Sequence, residues 1–184
     1  VIGGGELPIL PKIIKNNFMS SQKIDAEKFN EIINDPLKIE LINKNYKDFI
    51  KYFNIKNKFI TDKAPLNFRW IGFIKVLFPN AKIIHCYRNP LDNILSIYRA
   101  NFPMGNEYTS SLVDCAQIYL DQKRVMNEYK KRYRENIYDL DYDLLVKNPD
   151  EEIKFLIQWL GWKWDKSYLK PHLNQRSVIT ASDI

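Results

Sequence analysis

The chain has 184 residues, of which 45% are hydrophobic and 14% aromatic, so it can bury a core and is not a disordered segment. Its formal net charge of +6 favours anionic partners such as nucleotides, nucleic acids or membrane surfaces. No run of about eighteen apolar residues is present and no signal peptide is visible, so no membrane span is expected. Cys86 and Cys115 lie within apolar patterns and are expected to be buried, reduced thiols.

The chain begins with a glycine-rich stretch, residues 1–11, in which three glycines precede Glu6. Glycine tolerates positive φ and allows a ligand to approach the backbone closely. The stretch is not a Walker A loop, because no Gly-Lys-Ser/Thr follows it. From the residues alone, the alternative is a flexible start with a solvated glutamate.

Apolar residues at helical spacing predict two helices next, around residues 29–33 and 37–53, which Asp25 and Asp35 could cap. We expect these helices to be scaffold, with one wall of an acceptor cleft as the alternative. A short strand, residues 58–62, then ends at a lysine, and an amphipathic helix over residues 67–78 follows it.

The central segment starts with an apolar run, residues 81–87, that predicts a parallel strand buried on both faces. Asn89 is suited to cap the helix that follows. Arg88 would then lie at the carboxyl end of a strand, where open α/β sheets bind their ligands. Together with Ser96 on the helix, its guanidinium could form a phosphate site. In the alternative interpretation Arg88 pairs with Asp92 and Ser96 is solvated.

Three further elements are predicted in the second half. Ser111 is the first residue of a capping box at the start of a long helix. Residues 136–141 alternate in polarity and read as a third strand. Asn148 is expected to cap the next helix, with Pro149 at its first position.

Several of these segments resemble the sulfotransferases. Residues 77–84, the Tyr-Arg-Asn-Pro of residues 87–90, and Ser96 resemble the segment that binds the 3′-phosphate of 3′-phosphoadenosine 5′-phosphosulfate (PAPS). The resemblance implies that Arg88 and Ser96 bind this phosphate.

The remaining motifs are similar to the tyrosylprotein and tetratricopeptide-associated branch. The Gly-Glu at residues 5–6 with a downstream proline implies that Glu6 is the catalytic base. Lys63 matches the lysine of an Asp-Lys-x-Pro segment that contacts the transferring sulfuryl group, and Pro65 stands where the cytosolic branch has a catalytic histidine.

Two more segments complete the resemblance. Residues 142–149 resemble Tyr-Glu-x-Leu-Val-x-x-Pro, with Asp143 in place of the glutamate, which implies that Tyr142 helps to hold the nucleotide. Residues 178–182 resemble Val-x-Thr-Ala-Ser, which implies that Ser182 is an active-site serine hydrogen-bonding near the leaving phosphate.

The resemblance implies an α/β protein with the P-loop NTPase-like sulfotransferase fold, a parallel sheet flanked by helices, as a single domain over residues 1–184. This domain is expected to be incomplete at both ends, since the 5′-phosphosulfate loop would precede Val1 and a basic loop would follow Ile184. The implied reaction is metal-free sulfuryl transfer from PAPS to a hydroxyl or amine on a small molecule, carbohydrate or peptide. A homodimer is left open. A bacterial cytoplasm is expected, or the Golgi lumen for a tyrosylprotein-type relative.

Two other classes of protein remain as alternatives. A P-loop kinase or NTPase-like domain would share the fold but would need a Walker lysine before Val1. A basic nucleic-acid-binding module would account for the charge. However, the basic residues spread along helices without a recognition motif, so no nucleic-acid partner is expected.

Overall fold

The computed structural model describes residues 2–3, 5–7, 9–20, 23–52, 59–100, 102 and 106–173. Contacts group the chain into two compact units, residues 1–81 and residues 82–184. The expected single domain stays a prediction. No helix in the described part of the chain is long and apolar enough to cross a membrane.

The first unit combines short strands with helices. Its described residues form, in chain order, β1 (Ile2–Gly3), α1 (Ile9–Phe18), β2 (Met19–Ser20), β3 (Lys23–Ile24), α2 (Ala26–Ile33), α3 (Pro36–Tyr52), β4 (Ile60–Thr61), a 3₁₀ turn (Pro65–Trp70) and α4 (Ile71–Leu77). Strand β1 pairs with β4 in parallel, with Ile2 opposite Ile60. Strands β2 and β3 pair antiparallel. The predicted strand at residues 58–62 is therefore present as the shorter β4.

The two predicted caps of the first unit are confirmed. The Asp25 side chain accepts a hydrogen bond from the backbone N–H of Lys28 at 3.0 Å, at the start of α2. Asp35 does the same for Leu37 at 3.0 Å, at the start of α3. Each carboxylate satisfies an N–H that the first helical turn leaves without an intrahelical partner.

Helix α1, which the sequence analysis did not predict, supplies much of the first unit's core. Its residues Ile9, Leu10, Ile13, Ile14 and Phe18 are buried. The Phe18 ring lies 4.9 Å from that of Phe73 in an edge-on arrangement and 5.9 Å from that of Phe29. The signal was present, because these apolar residues share one helical face.

The second unit has its own pair of parallel strands. Its described residues form β5 (Ile83–Tyr87), α5 (Pro90–Arg99), a 3₁₀ turn (Glu107–Ser110), α6 (Leu112–Tyr133), a 3₁₀ turn (Arg134–Asn136), β6 (Ile137–Asp141), α7 (Tyr142–Lys147), α8 (Pro149–Leu160) and two 3₁₀ turns (Lys166–Leu169 and Pro171–Leu173). Strands β5 and β6 pair in parallel along their whole length, from Ile83 opposite Ile137 to Tyr87 opposite Asp141. The predicted strands at residues 81–87 and 136–141 are confirmed, and with them the α/β fold with parallel strands and helices.

The prediction that β5 is buried on both faces is wrong. Ile84 is 39% exposed and Tyr87 37% exposed. Cys86 is exposed as well, contrary to expectation, whereas Cys115 is buried as predicted. Within the described residues of this unit, β5 has one partner strand. Gln122 of α6 approaches the face that carries His85, whereas Ile84 and Cys86, on the opposite face, are exposed.

Local capping in the second unit follows the sequence closely. The Asn89 side chain accepts from the N–H of Leu91 at 2.9 Å and starts α5. The Ser111 side chain accepts from the N–H of Asp114 at 3.3 Å and starts α6. Asn148 occupies the position before α8 as predicted, but its side chain makes no capping hydrogen bond.

We expect Phe18→Ala to lower the free energy of unfolding by about 3–5 kcal/mol, because it removes a fully buried ring from the aromatic cluster. Phe18→Leu, which keeps most of the buried volume, is expected to cost less. Chemical denaturation measures both, with Phe155→Ala as a control because Phe155 is 51% exposed. Equal losses for Phe18→Ala and Phe155→Ala would contradict the central place of α1 in this core.

Candidate functional site

The first group of candidate residues lies where β1 and β4 end. Parallel strands finish at the same edge of a sheet. Glu6 follows β1 and Lys63 follows β4, so the two side chains reach the same edge. Lys63 Nζ lies 2.6 Å from Glu6 Oε1, and the side chains are 62% and 57% exposed. The structure therefore brings these two candidates, from separate motifs, into direct contact.

The backbone around Glu6 is held on both sides. The N–H of Lys63 donates to the carbonyl of Gly5 at 2.8 Å. The N–H of Leu7 donates to Asp62 Oδ1 at 3.4 Å. Gly5 has φ +72°, in the left-handed region that favours glycine. The backbone contacts of Gly5 and Leu7 thus fix the turn that carries Glu6, and the Glu6 side chain takes no part in them.

Asp62 is a residue of this edge that the sequence analysis did not single out. Burial raises the pKa of its carboxyl, against the hydrogen bonds from Leu7 and Asn67 that act to lower it, and the charge of Glu6 raises it further. Burial also raises the pKa of Tyr46 to about 12, with a contribution from Asp62. By accepting the hydrogen bond from Leu7, Asp62 anchors the backbone that follows β1. In the sequence, its place in the Asp-Lys motif was the signal that could have identified it.

The second group lies where β5 and β6 end. Arg88 follows β5, and its Nη2 donates to the backbone carbonyl of Asp92 at 2.8 Å. Ser96 lies exposed on α5, and no hydrogen bond joins it to Arg88 among the described residues. The alternative interpretation, in which Arg88 pairs with Asp92 and Ser96 is solvated, is thus partly confirmed. Arg88, however, bonds to the backbone carbonyl of Asp92 and not to its carboxylate. The role of Arg88 and Ser96 in binding phosphate stays a prediction.

The two strand ends of this unit are tied together by a carboxylate. The N–H of Asn89 donates to Asp143 Oδ2 at 2.8 Å. The N–H of Asp143 in turn donates to Asp141 Oδ1 at 2.8 Å. Tyr142, at the start of α7, is 48% exposed. Because β5 and β6 are parallel, Arg88 and Tyr142 lie at one edge of the strand pair.

Ser182 lies outside the described residues, so its role stays a prediction. In the part of the chain that the structure describes, no group of three or more His, Cys, Asp or Glu side chains is placed to hold a metal ion.

The structure also contains a polar cluster that the sequence analysis missed. His85 Nδ1 lies 2.9 Å from Asp139 Oδ1, which also pairs with Lys130 Nζ at 2.6 Å. The amide nitrogen of Gln122 lies 3.5 Å from His85 Nε2. These side chains line a cleft of about 190 Å³ within the second unit. The cluster depends on the register that sets His85 opposite Asp139, for which no local sequence signal exists.

Comparisons with known proteins identify the family. The sequence profile of the Sulfotransferase family matches residues 10–166, most of the chain. The chain therefore belongs to the sulfotransferase family.

Two curated relatives match the chain, one named as a sulfotransferase and one uncharacterized. The chain is 23% identical to Protein-tyrosine sulfotransferase A of Caenorhabditis elegans over 177 residues, covering 90% of the chain and 44% of that protein. It is 32% identical to an uncharacterized protein of Aquifex aeolicus (strain VF5) over 189 residues, covering 99% of the chain and 25% of that protein. The chain thus spans less than half the length of these curated relatives.

A solved structure supports the fold. The sulfotransferase domain from the curacin biosynthetic pathway matches with a TM-score of 0.62 and 19% identity, covering 92% of this chain and 68% of that one. The predicted sulfotransferase fold is thereby confirmed.

His85, whose side chain is 11% exposed, predicts a pH dependence of stability. Burial lowers the pKa of His85 below its usual 6.5, while the hydrogen bond that Asp139 accepts from the ring partly offsets this. Just below the usual pKa the unfolded chain therefore binds more protons than the folded chain, so the free energy of unfolding is expected to fall as the pH drops below about 6.5.

His85→Gln is expected to remove this contribution. Denaturation curves at about pH 7.5 and about pH 5.5 test it, because only the histidine titrates strongly between them. The wild-type protein is expected to lose more stability on acidification than the variant. The second histidine of the chain, His172, is present in both proteins and cancels. Parallel pH profiles would contradict the lowered pKa of His85 in the folded protein.

Proposed function

We propose that the chain is the sulfuryl-transferring part of a PAPS-dependent sulfotransferase that acts on a hydroxyl or amine acceptor. Membership of the sulfotransferase family supports the class of reaction. The observation that carries the proposal is the contact of Glu6 with Lys63, a carboxylate and a cation supplied by the ends of two paired parallel strands.

In the proposed reaction Glu6 takes the proton of the acceptor as the acceptor oxygen or nitrogen bonds to sulfur. The bond between sulfur and the bridging oxygen of the donor breaks, and adenosine 3′,5′-bisphosphate leaves. Lys63 stabilises the negative charge that develops on the departing oxygen. We assign Ser182 a supporting part near the same oxygen, on the family resemblance alone.

The ion pair between Glu6 and Lys63 has a consequence for this reaction. The two groups must separate if they are to act on opposite sides of one sulfuryl group. An ion pair between side chains as exposed as these contributes only about 0–1 kcal/mol, so an anionic donor can compete for Lys63. Separation would leave Glu6 as a free carboxylate, which is the form that a general base requires.

Arg88, Ser96 and Tyr142 are proposed to hold the nucleotide. The contact with the Asp92 carbonyl uses one N–H of the Arg88 guanidinium. Other N–H groups of the same guanidinium remain for a phosphate, since arginine carries several donors in a planar fork. The acceptor is proposed to be a small molecule, a carbohydrate or a peptide with an accessible hydroxyl or amine.

Arg88→Ala is expected to weaken the binding of adenosine 3′,5′-bisphosphate to the full-length protein by roughly ten- to a hundred-fold, the usual loss for a charge-assisted phosphate contact. Isothermal titration calorimetry measures the change. Arg99→Ala is the matched control, because Arg99 is an exposed arginine in the last turn of α5, the helix that follows Arg88. If both variants bind the bisphosphate as tightly as the wild type, Arg88 does not contact the phosphate.

Glu6→Gln is expected to lower turnover by roughly 10²–10⁴-fold with little change in donor affinity, because it removes the proton acceptor but keeps the shape of the side chain. Steady-state kinetics with PAPS and a phenolic acceptor provide the measurement. Glu27→Gln, at an exposed glutamate of the first unit, controls for the loss of a surface charge. Near-normal turnover in Glu6→Gln would show that another group takes the proton.

A further inference from the structure

We propose that Asp143 is a positioning residue that holds the Arg88 turn in its phosphate-binding shape. The inference rests on the proposed function. It starts from the hydrogen bond that the N–H of Asn89 donates to Asp143 Oδ2 at 2.8 Å, across 54 residues of sequence.

The position of this N–H makes the contact effective. Asn89 directly follows Arg88 and lies outside the β5–β6 ladder, so its N–H has no partner in the strand pair. Asp143 lies two residues after the end of β6. Its own position is fixed because its N–H donates to Asp141 Oδ1 at 2.8 Å. The turn after β5 is therefore anchored to the turn after β6.

Asn89 passes this restraint on to the guanidinium. Its side chain accepts from the N–H groups of Leu91 at 2.9 Å and Asp92 at 3.4 Å, which sets the first turn of α5. The carbonyl of Asp92 then accepts from Arg88 Nη2 at 2.8 Å. A series of hydrogen bonds thus connects Asp143, through Asn89 and Asp92, to the guanidinium of Arg88. Such preorganisation reduces the conformational entropy that the arginine loses when a ligand binds.

The charge of Asp143 cannot itself favour an anionic ligand, because a carboxylate beside a phosphate repels it. Its contribution must therefore come from the position of its acceptor oxygen. Two substitutions separate these effects. Asp143→Asn keeps an acceptor oxygen and removes the charge, so it is expected to bind adenosine 3′,5′-bisphosphate at least as tightly as the wild type. Asp143→Ala removes the acceptor and is expected to bind roughly tenfold more weakly, the usual loss for one hydrogen bond to a charged group.

A double-mutant cycle distinguishes positioning from a general loss of structure. If Asp143 acts through Arg88, Asp143→Ala is expected to have almost no further effect on bisphosphate affinity in an Arg88→Ala background. Calorimetry on the full-length protein measures the four affinities. Asp165→Ala is the control, because Asp165 Oδ1 holds the N–H of Ser167 at 2.7 Å in another turn of the same unit. Additive losses, or equal losses in the control, would overturn the inference.

A second measurement does not need the nucleotide. Hydrogen exchange of the Asn89 amide is expected to be slow in the wild type and in Asp143→Asn, and fast in Asp143→Ala. An unchanged exchange rate in Asp143→Ala would refute the anchor directly. Failure of the wild type to bind the bisphosphate would instead refute the proposed function and the phosphate-positioning role together, while the exchange rates would still decide whether the anchor itself exists.

Discussion

Parallel strand pairing is the constraint on which both candidate groups depend. A parallel pair delivers two chain segments, distant in sequence, to the same edge, and in each unit the chemistry-bearing residues come directly after the paired strands. Glu6 and Lys63 meet because β1 and β4 run side by side. Asn89 and Asp143 meet because β5 and β6 do. None of these residues would find its partner if either strand ran in the opposite direction.

The sequence was most informative where the physics is local. The caps formed by Asp25, Asp35, Asn89 and Ser111 were all predicted, because a cap depends on a side chain and an amide two or three residues away. An apolar run at residues 81–87 predicts a parallel strand, alternating polarity at residues 136–141 predicts another, and the family resemblance implies the parallel sheet. Helix α1 is the exception, because its apolar residues keep helical spacing but follow directly on a glycine-rich stretch that carries no helix signal.

Contacts that depend on register could not be predicted. His85 and Asp139 are 54 residues apart, and their contact exists because β5 and β6 pair with those two residues opposite each other. If the register of the two strands shifted by one residue, His85 would lie opposite a residue other than Asp139, and the side chains of the shifted strand would point to the other face of the sheet. The same limit applies to burial. An apolar run such as β5 indicates a strand, but the coverage of each face depends on which helices pack there, and α6 covers one of them.

The two edges differ in how firmly each side chain is held, and the difference suits the proposed chemistry. Glu6 and Lys63 contact each other through an exposed ion pair, which is a weak interaction, while their backbones are joined by the hydrogen bond from the N–H of Lys63 to Gly5. Their charged groups can therefore move without loss of the turn that carries them.

Arg88 is held by its side chain as well, through the Asp92 carbonyl. A group that anchors a ligand gains from being fixed before binding, whereas a base and a cation that must separate around a reacting group need freedom to do so. The backbone thus supplies the geometry at both edges, and the side-chain contacts decide which groups stay in place and which can move.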